Sequence, residues 1–154
     1  MSQHTARVVW NRSAEGMDAR TYSRVHLWSF DGGTTVRASA AAGGPVPADA
    51  VSPDTVDPEE AVVAALAACH MLFFLALAAK RGLVVDRYED APHGTLETRE
   101  GRAWLTTITL APRVTWHGEP PAAAVVDELH HQAHARCYIA NSLRSEVVIK
   151  PAAA

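Results

Sequence analysis

The chain has 154 residues, 48% of them hydrophobic and 20% charged, with a formal net charge of −3. That length suits one domain, or one subunit of a compact oligomer, with a real core. The mixed charge argues against a nucleic-acid surface or an acidic disordered tail, and two distant cysteines, Cys69 and Cys137, against a disulfide-dense secreted scaffold.

The opening residues, MSQHTARVVWNRSAEG, lack the apolar centre of a secretory signal, so a reducing, cytoplasmic setting is expected. "TARVVW" (5–10) reads as a first strand. "TYSRVHLWSF" (21–30) alternates and reads as a second, with Tyr22, Arg24, His26, Trp28 and Phe30 on one face. "DGG" (31–33) is a hairpin turn and "TTVRASA" (34–40) the returning strand. A glycine- and proline-rich loop (42–55) leads to "PEEAVVAALAACHMLFFLALAAKRG" (58–82).

That segment is apolar on every side, and 61–79 is long enough to cross a bilayer. It is rich in alanine, carries Cys69 and His70, and lies mid-chain between soluble-looking segments, which favours a buried core helix and no membrane contact. Asp57 suits the N-cap, Pro58 the first helical position, and Glu59 and Glu60 the positive end of the dipole. Lys80 and Arg81 suit the last turn, and Gly82 a left-handed stop.

Downstream, 83–99 and 103–116 read as two long strands joined at "REGR" (99–102). A second helix is expected over 120–137 and a final strand over 145–150. The order βββ-α-ββ-α-β predicts a single α+β domain over 1–154 with a mainly antiparallel sheet.

Cys69 has a plain reading, since a free cysteine often serves as a small buried hydrophobe. A reactive thiol needs its thiolate stabilised, and this helix offers little. Cys69 lies eleven residues beyond Pro58, roughly 16 Å from the positive helix end. His70 projects about 100° away around the axis and cannot pair with Cys69 directly. A cation must come from another element; Arg24 is best suited by type and Arg20 comes second. A rival site is the face carrying His130, His134 and Cys137, spaced like metal ligands. It lacks an evident fourth ligand, and a solvated histidine face is the commoner explanation. No metal or other cofactor is expected.

Four stretches add a further constraint: "DPEEAVVAALAACH" (57–70), "VDRYED" (85–90), "ITLAPRVTW" (108–116) and "ELHHQAHARCYIANS" (128–142). In this order they resemble the OsmC/Ohr family of thiol-dependent peroxidases. "YSRVHLWSFDGG" (22–33) resembles the N-terminal strands of its OsmC-like branch. The resemblance implies a sheet wrapped around long central helices in an intertwined homodimer. It implies reduction of organic hydroperoxides, with hydrogen peroxide as an alternative substrate and an external dithiol as reductant. Cys69 then matches the peroxidatic cysteine, Cys137 the resolving one, and Glu59 the acidic residue of the family's motif; Arg24 is the choice for the arginine. "YIANS" after Cys137 differs from the "PYSNA" type of the Ohr branch and favours the OsmC-like branch. The alternative on the same fold is a redox-sensing or small-molecule-binding protein that turns nothing over.

Overall fold

Three short strands open the chain as an antiparallel meander: β1 (Ala6–Val9), β2 (His26–Phe30) and β3 (Thr35–Ala38). The computed structural model describes residues 1–13, 17–43 and 46–152 and falls into two compact units, Met1–Ala61 and Val62–Ala154. Gly33, at φ 83°, closes the β2–β3 hairpin in a backbone conformation that costs glycine little. The second strand is shorter than the alternation predicts. Thr21 and Tyr22 donate their amides to the Asp18 carbonyl, and the Arg24 amide donates to Ala50 at 2.8 Å. Residues 21–25 satisfy their backbone outside the ladder, so Arg24 precedes β2 instead of standing on it. The expected loop over 42–55 contains a 3-10 turn at Ala48–Ala50; its Gly44 and Pro45 lie outside the described residues.

Helix α1 (Pro58–Lys80) starts and stops as its sequence predicts. The Asp57 carboxylate accepts the Glu60 amide at 2.7 Å, and the Glu60 carboxylate accepts the Asp57 amide at 3.1 Å, a reciprocal cap. At the other end Gly82 has φ 72°, its amide donates to Ala79, and the Leu83 amide donates to Ala78. Those two bonds form a Schellman stop. The helix is not buried all round, contrary to expectation. Leu66, His70, Phe74, Leu77 and Ala78 are buried, whereas Leu72 on the opposite side is 62% exposed.

Each long strand expected after α1 divides in two: β4 (Val85–Asp90) and β5 (His93–Arg99), then β6 (Arg102–Leu110) and β7 (Pro112–Trp116). β4 pairs with β7, and β5 with β6. Pro92 and Pro112 have no amide to continue a ladder, and the Asp90 carboxylate takes the Ala111 amide at 2.7 Å. Glu100 and Gly101, both at positive φ, make the tight turn between β5 and β6. Helix α2 (Ala123–Arg136) and strand β8 (Glu146–Ile149) follow, β8 lying parallel to β6. The fold is α+β with mainly antiparallel pairing, as the element order predicts.

Two apolar clusters hold α1, α2 and their sheets. One joins Leu66, Ala67, Ile108, Leu110 and Cys137; the other joins Phe74, Leu77, Ala78, Leu129 and Ala133. Residues late in α1 meet residues early in α2, so the two helices pack antiparallel.

Candidate active site

Cys69 and Cys137, 68 positions apart in sequence (137 − 69), meet where the middle of α1 reaches the end of α2. Cys69 is half-buried and Cys137 fully buried, and both thiols are free. Leu66, Ile108 and Leu110 form the apolar floor, with Phe73, Ile139 and Leu143 around it. Cys137 caps α2. Its amide donates to His134 at 3.2 Å, and its Sγ accepts the Ala140 amide at 3.4 Å. Burial pushes the Cys137 thiol up to about 11, and the adjacent Cys69 sulfur adds to the rise; the Ala140 amide pulls the other way. One thiol is thus partly open to an incoming molecule, and the other is kept protonated behind it.

The other two expected site residues belong to the first unit. Glu59 sits half-buried in the first turn of α1. The Arg24 guanidinium donates to the carbonyls of Tyr22 and Ala19, the latter at 2.7 Å, and lies 3.6 Å over the Tyr22 ring. Arg24 and Glu59 are not brought together in this structure.

His70 makes a contact that its place beside Cys69 in the sequence does not suggest. Its Nε2 lies 3.0 Å from Nδ1 of His130, and the two ring planes are within 7° of each other with centroids 5.4 Å apart, the rings meeting edge to edge. The face of α2 read as solvated is therefore partly interior: His130 is 4% exposed, with the Phe74 ring 4.4 Å from its own. Burial holds both imidazoles neutral, lowering each to about 4; for His70 the nearby His130 and His134 add to the effect. Two histidines sixty residues apart leave no spacing signal for such a pair. Among the described residues, no group of three or more His, Cys, Asp or Glu is placed to hold a metal ion.

A cleft of about 570 Å³ between β7 and α2 is lined by Val114, Trp116, Pro121, Val126 and His130, and by neither cysteine.

A family description, "OsmC-like protein", matches residues 51–152, a stretch that includes both helices and both cysteines. The chain belongs to the OsmC family. It is similar to a solved OsmC-like protein of unknown function from Vibrio cholerae, with 42% identity, 99% of this chain and 100% of that one covered, and a TM-score of 0.92. The organic hydroperoxide resistance protein OhrB of Bacillus subtilis shares the fold at 21% identity, with 96% of each chain covered and a TM-score of 0.64. So does an organic hydroperoxide resistance protein of Legionella pneumophila, at 17% identity, 98% and 96% coverage, and a TM-score of 0.67. Among curated proteins there is no match. Family membership and fold are thereby shown, and some relatives on this fold carry names of hydroperoxide resistance.

Proposed function

We propose that the protein is a cysteine-based peroxidase that reduces organic hydroperoxides in the cytoplasm, working as a homodimer with an external dithiol. The observation that carries this reading is the pairing of a half-buried Cys69 with a buried, protonated Cys137 inside an apolar cluster. The Cys69 thiolate attacks one peroxide oxygen, the O–O bond breaks, and the alkoxide leaves as an alcohol after taking a proton. Cys69 becomes a sulfenic acid. Cys137 attacks that sulfur, its proton leaves with the departing hydroxyl as water, and a disulfide forms. Two electrons have then passed from the thiols to the peroxide, and the dithiol returns them.

Cys137 suits the resolving role because its high thiol pKa keeps it from competing for peroxide as a thiolate. The apolar surroundings of Cys69 favour an organic peroxide over a hydrophilic one, with hydrogen peroxide as a secondary substrate. Arg24 is assigned to stabilise the thiolate and the developing alkoxide, and Glu59 to orient the guanidinium as a bidentate partner. Arg24 must exchange its carbonyl partners at Tyr22 and Ala19 for that task.

A single-turnover reaction with cumene hydroperoxide, followed by mass spectrometry, tests the reading. Wild type should form a Cys69–Cys137 disulfide, Cys137→Ser should stop at a Cys69 sulfenic acid, and Cys69→Ser should leave the peroxide untouched. Turnover with excess dithiol separates an enzyme from a redox sensor. Arg24→Ala should slow the first step; if Arg20→Ala does so instead, the cation is Arg20. Peroxide consumption by Cys69→Ser at the wild-type rate would overturn the assignment.

A further inference from the structure

Each of the two packed helices brings one cysteine and one buried histidine to their contact, Cys137 standing at the cap of α2. His70 follows Cys69 on α1, and His130 precedes Cys137 by seven residues on α2. Seven residues are two turns, roughly 10 Å along the axis and back to the same face. The helical end is tied in register, since the Cys137 amide still donates to the His134 carbonyl. Where His130 meets His70 of α1 thus sets where Cys137 is presented.

Taking Cys69 and Cys137 as a redox couple, as proposed above, we infer that the His70–His130 pair positions Cys137 for closure onto Cys69. The surrounding contact is Phe74, Leu77, Ala78, Leu129 and Ala133, apolar side chains that make no directional bond. The imidazole bond has a defined length, and its parallel rings a defined orientation. Apart from the thiol contact, it is the one side-chain hydrogen bond between α1 and α2 among the described residues. A disulfide tolerates little error: its sulfurs must come within about 2.05 Å, and its Cα atoms within about 6.8 Å. Displacement of α2 by one turn, about 5.4 Å, would carry Cys137 out of reach.

The pair is an uneconomical way to hold helices together. His70 Nδ1 and His130 Nε2 are buried without a hydrogen-bond partner among the described residues, whereas two leucines would pack with no such atoms. The best-attested use of a polar pair in an apolar helix contact is to fix register. Here the register that it fixes is the one that faces two thiols towards each other.

His70→Leu removes the bond in a residue of similar bulk, and His70→Gln keeps a group able to bond to Nδ1 of His130. Two readouts are needed: the rate of disulfide closure after sulfenic acid forms with cumene hydroperoxide, and the potential of the couple in dithiothreitol buffer. In His70→Leu, sulfenic acid should form at the wild-type rate, closure should slow roughly tenfold or more, and the potential should become less reducing. His70→Gln should recover most of both. Phe74→Leu, which loosens packing beside the pair but keeps the bond, should change neither. If His70→Leu does not fold, the apolar double variant His70→Leu/His130→Leu carries the same test. A folded variant lacking the bond but closing at the wild-type rate with unchanged potential overturns the inference, as does equal slowing by Phe74→Leu. If wild type forms the disulfide in dithiothreitol buffer but never reacts with peroxide, the peroxidase reading fails. The potential still decides the role of the pair.

Discussion

Access and protonation set Cys137 apart from Cys69. Cys137 has no exposed surface and a thiol raised to about 11, while Cys69 is partly open. Brief iodoacetamide treatment of the reduced, folded protein at pH 7 should therefore alkylate Cys69 and spare Cys137, with peptide mass mapping as the readout. Alkylation of Cys137 at a matching rate would show that the buried thiol is not protected. The histidine pair gives a second expectation. Both groups titrate lower when folded than the usual 6.5, so the unfolded chain binds more protons between those values. Stability is then full above about pH 6.5, falls on acidification towards about pH 4, and levels below it as far as these groups are concerned. The loss is on the order of a few kcal/mol, measurable by urea unfolding at successive pH values. His70→Leu/His130→Leu should flatten that slope; an unchanged slope would place the acid sensitivity elsewhere. At this scale the sequence alone reveals little, because Cys69 matches an inert core cysteine as well as a catalytic one. The resemblance of 57–70 and 128–142 supplied the roles, and it is silent on His70 and His130.

The helix ends of α1 were the most readable feature, because capping depends on residues within one turn of each other. Asp57, Pro58, Glu60 and Gly82 all act locally and were legible without any tertiary knowledge. Asp57→Ala should lower stability by about 1 kcal/mol through loss of the reciprocal cap. Gly82→Ala should cost about as much, since it forces a Cβ into the left-handed conformation at φ 72°. Thermal unfolding checks both; no change in either would mean that the helix ends are held by other contacts. The strand boundaries were less readable. The sequence reads as one long strand over 83–99 and another over 103–116, and the division comes from Pro92, Pro112 and the Asp90 bond to the Ala111 amide. The prolines were visible in the sequence as ladder breakers, but the bond across 21 residues was not. At Arg24 the alternating pattern continued past the point where the ladder stops, which misplaced that residue onto β2.

At the scale of the whole molecule, the chain leaves much apolar surface open. The apolar window of α1 is 33% buried, Leu72 is 62% exposed, and every residue of the edge strand β5 is exposed, including Leu96 at 53%. A bilayer could cover a helix of this length, but not the mixed apolar and charged surface of β5. A second copy of the chain covers apolar and polar surface together, and a two-fold axis applies the same patch to both partners. The proposed chemistry asks for the same arrangement. Glu59 and Cys69 are ten residues apart on α1, roughly 15 Å along the axis, too far for one arginine to clamp to the first and touch the second easily. Antiparallel packing of two α1 helices would bring Glu59 of one subunit towards Cys69 of the other. The protein should therefore sediment as a homodimer at micromolar concentration, and a fully active monomer would sink this expectation. Complementation tests the composite site. Cys69→Ser and Glu59→Ala subunits, each inactive alone, should regain up to about half of the wild-type activity per mixed dimer after unfolding and refolding together, because one of two sites is intact. If the clamp lies within one chain, every site in the mixture lacks one of its two residues and no activity returns.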